Sequence, residues 1–450
     1  MNHRKRLGVP ALLLSAGLFA ACMDDDKNPV VESPDDAGCL EEGTNRLKLN
    51  ITADLCELEA GEYSLQGVTF VQNGSVLKLH PGVTIKGKPD GSQSALVVVK
   101  GGILHAVGTP DQPIVFTAGT AQPVRGDFGG VVLLGNSQVN STTGTADIEG
   151  LVGVPYGGGS FLNTADSSGH LQYVRIEYAG YLFGEANELN GLTMGGVGSK
   201  TVLSHIHQYE GLDDCFEWFG GTVSARYLVA TGCDDDIFDY DFGWQGTLQF
   251  LLGAHNGPAT SSDPNGIEAD GRSGSEEAHP RTYGTIANMT LIGNGTTSQS
   301  GMRLRRGVGG KIYNSIITGF GKGSAGGWAA RVEGNTSIRL ATKDSLAGYG
   351  LYAFNNGSAG TYTVSPAAGL PDSVNTRQAA LDAISGWFVD TIPALAPITL
   401  TNPRPASTLA GAATIPAGGQ LLPTAYIGAF DPAAPTLWID EGNWVRKTNW

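Results

Sequence analysis

A dense run of carboxylates is the feature of this sequence best suited to chemistry. Two segments between residues 213 and 241 carry eight acidic side chains, with Arg226 as the one cation between them. Carboxylate oxygens are the ligands that Ca²⁺ collects in sets of six to eight, and carboxyl groups also act as catalytic acids and bases. The eight residues are Asp213, Asp214, Glu217, Asp234, Asp235, Asp236, Asp239 and Asp241.

The acidic segments repeat one pattern. Residues 214–221 align with residues 236–243, and more loosely with residues 265–271 and 300–305. Because side chains alternate between the two faces of a strand, the apolar columns are predicted to point inward and the polar column outward. The inward set is Phe216, Phe238, Ile267 and Met302, with Trp218, Tyr240, Ala269 and Leu304 beside them; the outward set is Glu217, Asp239, Glu268 and Arg303.

Stacking of these segments would bring like charges together. Matching positions on parallel strands lie about 4.8 Å apart. Two carboxylates at that distance repel by about 0.9 kcal/mol in water and by about 3.5 kcal/mol at an effective dielectric constant of 20. Solvent and the neighbouring Arg303, Arg305 and Arg306 could relieve this repulsion, as could proton sharing or a bound Ca²⁺ ion.

The acidic segments allow three interpretations: a solvated, ion-paired face, a calcium site, or a catalytic site. The predicted calcium ligands are Asp214, Glu217, Asp236, Asp239 and Asp241. The catalytic candidates are Glu217, Asp239, Glu268 and Arg303.

The rest of the chain repeats a short strand that is closed by a turn. Six such segments begin 21 to 37 residues apart, a spacing typical of a solenoid. The 66 glycines and 22 prolines, with only 16% charged residues, favour strands and turns over helices. The segments are YVRIEYAG from Tyr173, HIHQYEG from His205, RYLVATG from Arg226, LLGAHNG from Leu251, NMTLIGN from Asn288 and NSIITGF from Asn314.

These patterns predict an all-β chain organised as a parallel β-helix over residues 46–357. At roughly 25 residues per rung, some 15 rungs are expected over the folded chain. Residues 358–450 are rich in Ala, Pro, Thr and Gly, and the pattern weakens there. They are predicted to form a less regular C-terminal cap with the last irregular rungs, because an open strand edge invites pairing with other chains.

The N-terminus has the pattern of an export signal. Arg4, Lys5 and Arg6 precede an apolar run, residues 7–19, that is too short to span a membrane. The sequence Leu18-Phe19-Ala20-Ala21-Cys22 resembles the bacterial lipobox, which implies a signal peptide at residues 1–21 and a lipidated Cys22. Residues 22–45 are predicted to be an acidic flexible tether.

Four further cysteines suit an oxidising compartment. Cys39 with Cys56, and Cys215 with Cys233, are predicted to form two local disulfides. Their spacings do not indicate a zinc site.

Several stretches resemble an exported β-helix lipoprotein family of bacteria that has no assigned biochemical activity. The resemblance extends from about Ile51 to the C-terminus. It implies a right-handed parallel β-helix of the pectin-lyase-like kind, and it implies no reaction. The stretches are PGVTIKG, GTPDQPIVFTA, GDFGGVVLLG, LQYVRIEYAG, NELNGLTMGGVG, DDCFEWFGG and DDDIFDYDFGWQG.

Taken together, the sequence predicts a lipid-anchored protein of the cell envelope, held in the outer membrane, with display at the cell surface as one of two possible orientations. The formal charge of −15 argues against nucleic acid as a partner, because phosphate backbones are repelled. The expected role is binding or structural, through contact with carbohydrate, envelope components or a surface protein. The alternative is a polysaccharide lyase or hydrolase that acts on acidic glycans.

Overall fold

Short strands of alternating apolar and polar residues form most of the structure, a computed structural model. It describes residues 38–450 except residues 92, 185–186, 258, 296–298, 322–326, 358–360, 366–373, 390–396 and 417–419. The predicted signal peptide, Cys22 and the tether up to residue 37 lie outside the described residues.

Thirty strands and two α-helices are described. Strands β1 to β15 are Asn50–Ile51, Leu55–Leu58, Gly61–Ser64, Val68–Val71, Val76–Leu79, Val83–Lys86, Ala95–Val98, Ile103–Val107, Ile114–Thr117, Gly130–Leu134, Ala146–Asp147, Pro155–Tyr156, Gly169–Glu177, Leu182–Gly184 and Asn187–Glu188. Strands β16 to β30 are Leu192–Gly195, Val202–Tyr209, Phe216–Phe219, Ser224–Thr231, Phe238–Asp241, Thr247–Ala254, Asn265–Asp270, Tyr283–Ile292, Ser300–Arg305, Gly309–Tyr313, Ile316–Thr318, Trp328–Glu333, Leu346–Tyr349, Tyr352–Phe354 and Tyr362–Ser365. Helix α1 is Asn335–Ala341 and helix α2 is Val374–Ser385, and short 3₁₀ turns lie at Gly159–Phe161 and Trp438–Asp440.

Two long parallel sheets wind around one interior. Sheet 1 has the order β1-β4-β7-β10-β16-β18-β20-β22-β24-β27-β30. The main path of sheet 2 is β2-β5-β8-β13-β17-β19-β21-β23-β25-β28, and β3, β6, β9, β26 and β29 continue it around a corner. Each neighbour in sheet 1 belongs to the next turn of the chain, so the predicted all-β parallel β-helix is confirmed.

The helix has fewer coils than the residue count suggested. Among the described residues, sheet 1 contains eleven strands, which span about 48 Å at 4.8 Å per coil. The expectation of some 15 rungs was wrong because two segments form no coil. Residues 135–168 form an insertion between β10 and β13, and the described residues after 385 add no strand to the two long sheets.

The register of sheet 1 follows the predicted columns. Phe216 pairs with Phe238, Phe238 with Ile267, and Ile267 with Met302, and all four side chains are fully buried. The rings of Phe216 and Phe238 stack with centroids 5.6 Å apart. Burial of each such side chain contributes about 1.5–3 kcal/mol, so the apolar columns are a major source of the stability of the coil stack.

The long strands of sheet 2 turn a corner at one residue in the left-handed conformation. The φ angles of these residues lie between 49° and 61°, a region that costs non-glycine residues energy. Ring contacts along the corner, one tilted and two stacked, offset this cost, with centroid distances of 4.5, 4.4 and 4.8 Å between successive rings. The corner residues are Tyr173, His205, Tyr227, Phe250, Asn288 and Asn314.

The C-terminal region caps the helix only in its first part. Strand β30 is the last strand of sheet 1, and helix α2 packs beside it and against α1. The described residues between 397 and 450, which we call the C-terminal strap, lie instead along the outer face of sheet 2. Asn314 Nδ2 donates to the carbonyl of Ala413 (2.9 Å), and Arg446, near the C-terminal end of the strap, pairs with Glu177 (2.9 Å).

Apolar residues on the outer face of sheet 2 explain the position of the strap. Val229 and Leu252 point away from the interior and are fully buried against Phe430 and Trp444 of the strap. Residues 358–450 were predicted to form a cap with the last irregular rungs, and the described strap within this range covers the side of the helix instead of its end. Apolar side chains at these outward positions were the sequence signal for such a cover.

Both predicted disulfides are confirmed, as Cys39–Cys56 and Cys215–Cys233. The first disulfide joins the start of the described chain to β2, and Leu40 forms a bridge with Leu47. Residues 38–45, the end of the segment predicted as a tether, thus lie on the first coils. No helix among the described residues is long and apolar enough to cross a membrane.

Replacement of Gln249 tests how the strap is held. Its Nε2 donates to the carbonyl of Leu422 (2.8 Å) and to Asn288 Oδ1 (3.0 Å), while its Oε1 accepts the N–H of Leu422 (2.7 Å). Gln249→Ala removes three hydrogen bonds of about 1 kcal/mol each, so we expect a loss of about 2–3 kcal/mol in the free energy of unfolding. Limited proteolysis within the strap should also become faster.

The matched control is Gln245→Ala, which removes an exposed glutamine whose amide donates, within the described residues, to the carbonyl of Arg281 alone. Equal free energies of unfolding and equal rates of proteolysis for the two variants would contradict the role of Gln249 in holding the strap on sheet 2.

Candidate functional site

One outward column of sheet 1 carries the predicted site residues in consecutive coils. Glu217 pairs with Asp239, Asp239 with Glu268, and Glu268 with Arg303, on strands β18, β20, β22 and β24. Arg331 on β27 follows Arg303. The structure therefore brings all four catalytic candidates together in the predicted order.

A second column at the turn before these strands links the coils through backbone hydrogen bonds. Asp214 Oδ1 accepts the N–H of Asp236 (2.8 Å), and Asp236 Oδ1 accepts the N–H of Asn265 (2.5 Å). Asn265 Oδ1 in turn accepts the N–H of Ser300 (3.2 Å). Asp214 and Asp236 thus hold one coil to the next, and each carboxylate keeps a second oxygen for another contact.

The two columns converge into groups of three carboxylates. Asp214, Glu217 and Asp239 form one trio, and Asp236, Asp239 and Glu268 form another, each with ligand oxygens within 4.8 Å of one another. Asp239 belongs to both trios. A third group, Asp213 with Asp214 and Asp235, lies at the turn. We call Asp214, Glu217, Asp236, Asp239, Asp241 and Glu268 the acidic ladder.

Four of the five predicted calcium ligands lie in the two trios that share Asp239. Asp241 lies in neither trio, and Glu268 joins them from the set of catalytic candidates. The Oδ1 atoms of Asp239 and Asp241 are buried and have no hydrogen-bond partner among the described residues.

The acidic ladder points outward, but an insertion covers part of it. Tyr156 and Ile148, from the insertion between β10 and β13, pack with Phe219 on the outer face of sheet 1. Glu217 is only 6% exposed, and Asn190 Nδ2 donates a short hydrogen bond to its Oε2. A fully solvated face, one of the three interpretations of the sequence, therefore does not describe this end of the ladder.

Burial and mutual repulsion shift the titration of the ladder. Burial is the main cause of a pKa well above the usual value for five carboxyl groups, and neighbouring carboxylates raise it further. For Glu268, burial and Asp270 raise the pKa to about 7 against the opposing effect of Arg305 and Arg303. The five groups are Asp214, Glu217, Asp236, Asp239 and Asp241.

Among the described residues, arginines form ion pairs with the acidic ladder only at its Glu268 end, which we call the far end. Arg303 pairs with Asp263 (2.6 Å), Glu268 (2.9 Å) and Glu333 (2.9 Å). Arg305 pairs with Glu268 (2.8 Å) and, together with Arg306, with Asp270. Within the described part of the chain, no cation lies within ion-pair distance of the five carboxylates with the strongly raised pKa values.

The environment of Arg303 does not favour a role as a base. Burial opposes its charge, but Glu268 and Glu333 outweigh this effect and raise the pKa of Arg303 above its usual value. An arginine base requires the opposite shift. Its guanidinium group already forms ion pairs with three carboxylates.

Some residues of the site were missed in the sequence. Asn190 and Thr193 belong to the coil before Glu217, and the Oγ1 of Thr193 is buried with no hydrogen-bond partner among the described residues. Extension of the alignment by one segment, to residues 190–195, would have found them. Arg226, which lies between the acidic segments in sequence, belongs to the outer face of sheet 2 and not to this site.

Two carboxamide substitutions should have opposite effects on stability. In chelator at pH 8, Asp239→Asn removes a repelled charge, and we expect the free energy of unfolding to rise by about 1–2 kcal/mol. Asp270→Asn breaks a buried ion pair with Arg305 and Arg306, and we expect a loss of about 3 kcal/mol. Denaturant unfolding measures both. A loss of stability for Asp239→Asn equal to that of Asp270→Asn would refute the contrast between the two ends.

Comparison with known proteins identifies the fold family. The family model of a pectate-lyase-like β-helix domain matches residues 49–351, about two thirds of the chain, which include the acidic ladder and its arginines. No curated protein and no solved structure gives a significant match. The chain belongs to the family of pectate-lyase-like β-helix domains.

Proposed function

We propose that this protein is a lipid-anchored binding protein of the bacterial cell envelope whose β-helix holds calcium on the acidic ladder. The observation that carries the proposal is the pair of carboxylate trios that share Asp239. These carboxylates are largely buried, and only Glu268 among them has an ion-pair partner within the described residues. A cation would remove the repulsion that the fold otherwise has to tolerate.

The spacing of the trios suits calcium. Ca²⁺ binds oxygens at 2.3–2.6 Å, so two oxygens on opposite sides of one ion are about 4.8 Å apart. The ligand oxygens of each trio lie within that distance of one another. All the donors are carboxylate oxygens, which hard cations prefer, whereas structural zinc sites use cysteine and histidine. Asp239 is placed to bridge two ions.

A calcium ion held by three carboxylates retains free coordination positions. Ca²⁺ takes six to eight oxygen ligands, so water or an incoming ligand completes its shell. Asp239 and Glu268 are partly exposed, which makes this end of the ladder accessible from solvent. Carboxylate or hydroxyl oxygens of a glycan, an envelope component or a surface protein are therefore the partners that we propose.

The membrane anchor in this proposal depends on the sequence alone. The basic and apolar N-terminus and the lipobox-like residues before Cys22 support export and lipidation. Two or three acyl chains give stable membrane attachment, because each buried CH₂ adds about 0.8 kcal/mol. The proposed location is the outer membrane.

The alternative function is a polysaccharide lyase or hydrolase. The observation in its favour is the column in which the acidic Glu217, Asp239 and Glu268 are followed by Arg303. The ion pairs of Arg303 count against it. Because carboxylates, calcium and cations occur together in binding sites as well, the column alone does not favour catalysis.

Incubation with acidic polysaccharides decides between these functions. We expect no unsaturated products and no new reducing ends from pectate, alginate or glycosaminoglycans, with 2 mM calcium or with chelator. Product formation that is lost in Glu217→Gln would overturn the binding role, and retention of product formation in that variant would place catalysis elsewhere.

Stability as a function of pH tests the calcium site. In chelator, we expect the free energy of unfolding to fall as the pH rises from 7 to 8.5. The raised carboxyl pKa values, such as that of Glu268 at about 7, keep protons on the folded chain that the unfolded chain releases near pH 4. His205 and His255, with pKa values lowered to about 4, are neutral in the folded state throughout this range and add little.

Calcium should prevent the fall in the free energy of unfolding with pH, because the bound ion neutralises the carboxylates in place of the protons. At a free concentration of one hundred times Kd, we expect a gain of about 2.7 kcal/mol. Glu217→Gln should reduce the gain, whereas Glu59→Gln, at a carboxylate that is 80% exposed, should not. Identical unfolding curves in calcium and in chelator across this pH range would exclude the site.

A further inference from the structure

A small cavity lies on the outer face of sheet 2, on a different side of the helix from the acidic ladder. Its volume is about 130 Å³, and strands β17, β19 and β21 form its floor. The lining includes one cation and several hydroxyl groups, and within the described residues it includes no acid. The cation and the hydroxyl-bearing residues of the lining are Ser199, Thr201, Ser204, Ser224, Arg226 and Thr247.

Arg226 is the unusual member of this lining. It lies in one column between Ser204 and Gln249 and is neither fully buried nor fully exposed. In the described part of the chain, its guanidinium group has no ion pair and no hydrogen bond. The chain carries a net charge of −15, so a cation left without a carboxylate is unexpected. By contrast, Arg303 beside the acidic ladder pairs with three carboxylates, Arg305 with two and Arg306 with one.

Hydroxyl groups around Arg226 can donate hydrogen bonds to a ligand. Thr201 Oγ1 accepts the N–H of Ser168 (2.8 Å), and Ser224 Oγ accepts the N–H of Thr247 (3.0 Å). A hydroxyl group has one hydrogen and two acceptor positions, so each O–H remains to donate to another group. A guanidinium group among hydroxyl donors is the chemistry that binds a carboxylate, sulfate or phosphate group.

The neighbouring histidine adds no second charge. His205 Nδ1 lies 2.7 Å from Ser204 Oγ. Burial, with a smaller effect from Arg226, lowers the pKa of His205 to about 4, so the imidazole is neutral at physiological pH. Arg226 is therefore the only charge on the cavity wall in the described chain, and it matches a ligand with a single negative group.

We propose that this cavity binds the carboxylate of an acidic sugar through Arg226. Pockets for whole drug-sized ligands have volumes of about 300–1,000 Å³. A cavity of about 130 Å³ instead holds one anionic group of a larger ligand. The neutral hydroxyls and the amide of Gln420 at its rim suit sugar hydroxyls. A polyphosphate chain is disfavoured, because it requires several cations and meets a strongly acidic protein.

Calorimetric titration of the detergent-solubilised full chain in chelator tests the proposal without any contribution from calcium. The probes are cellobiouronic acid and cellobiose, which differ at one C6 position: the acid has a carboxylate where cellobiose has a hydroxymethyl group. We expect the acid to bind at least tenfold more tightly than the neutral disaccharide. Arg226→Gln should abolish that preference, and Arg226→Lys should retain part of it.

Lys200→Gln is the matched control, because it removes an exposed cation near the cavity that is not part of its lining. Ser224→Ala provides a second variant and should weaken binding of the acid about threefold. Equal binding of the acid and the neutral disaccharide, or unchanged binding by Arg226→Gln, would overturn the site. Tighter binding of glucose 6-phosphate or inorganic phosphate than of the uronate would show that the ligand class is wrong. A negative result here leaves the calcium test unaffected.

Discussion

The in-register stacking of parallel coils is the constraint on which the rest of this structure depends. It places the same position of successive coils about 4.8 Å apart. An apolar column such as Phe216, Phe238 and Ile267 gains from this arrangement with every added coil. In a column of like charges, each added coil adds electrostatic repulsion. The acidic ladder therefore needs more neutralisation, by cations or by bound protons, than a single pair of carboxylates would.

The two ends of the ladder meet this requirement differently. At the far end, Arg303 and Arg305 enter the columns of Glu268 and Asp270 and supply opposite charge. At the near end, the insertion buries Glu217 without a cation in the described part of the chain. Asp214 combines two roles there, because it fixes the next coil through a backbone N–H and also faces the ladder. Proton sharing or a bound ion is the remaining way to reduce the repulsion.

The sequence was sufficient to predict what repeats locally. The columns of Phe216 and Glu217, the all-β solenoid and both disulfides follow from short-range patterns, and the structure confirms them. The insertion and the strap could not be predicted, because each packs through contacts between distant segments without periodicity. Arg226 shows the same limit, since a residue between two acidic segments in sequence lies on another face once the coil closes.

Anomalous diffraction from a crystal grown in a calcium salt would show whether the acidic ladder holds calcium. We expect a calcium peak between Asp239 and the carboxylates of Asp214 and Glu217, with oxygens at 2.3–2.6 Å from the ion. A map in which these carboxylates lie close together at neutral pH, hydrogen-bonded to one another and with no ion between them, would contradict it. Proton sharing would then be the means by which this stack of charges is stabilised.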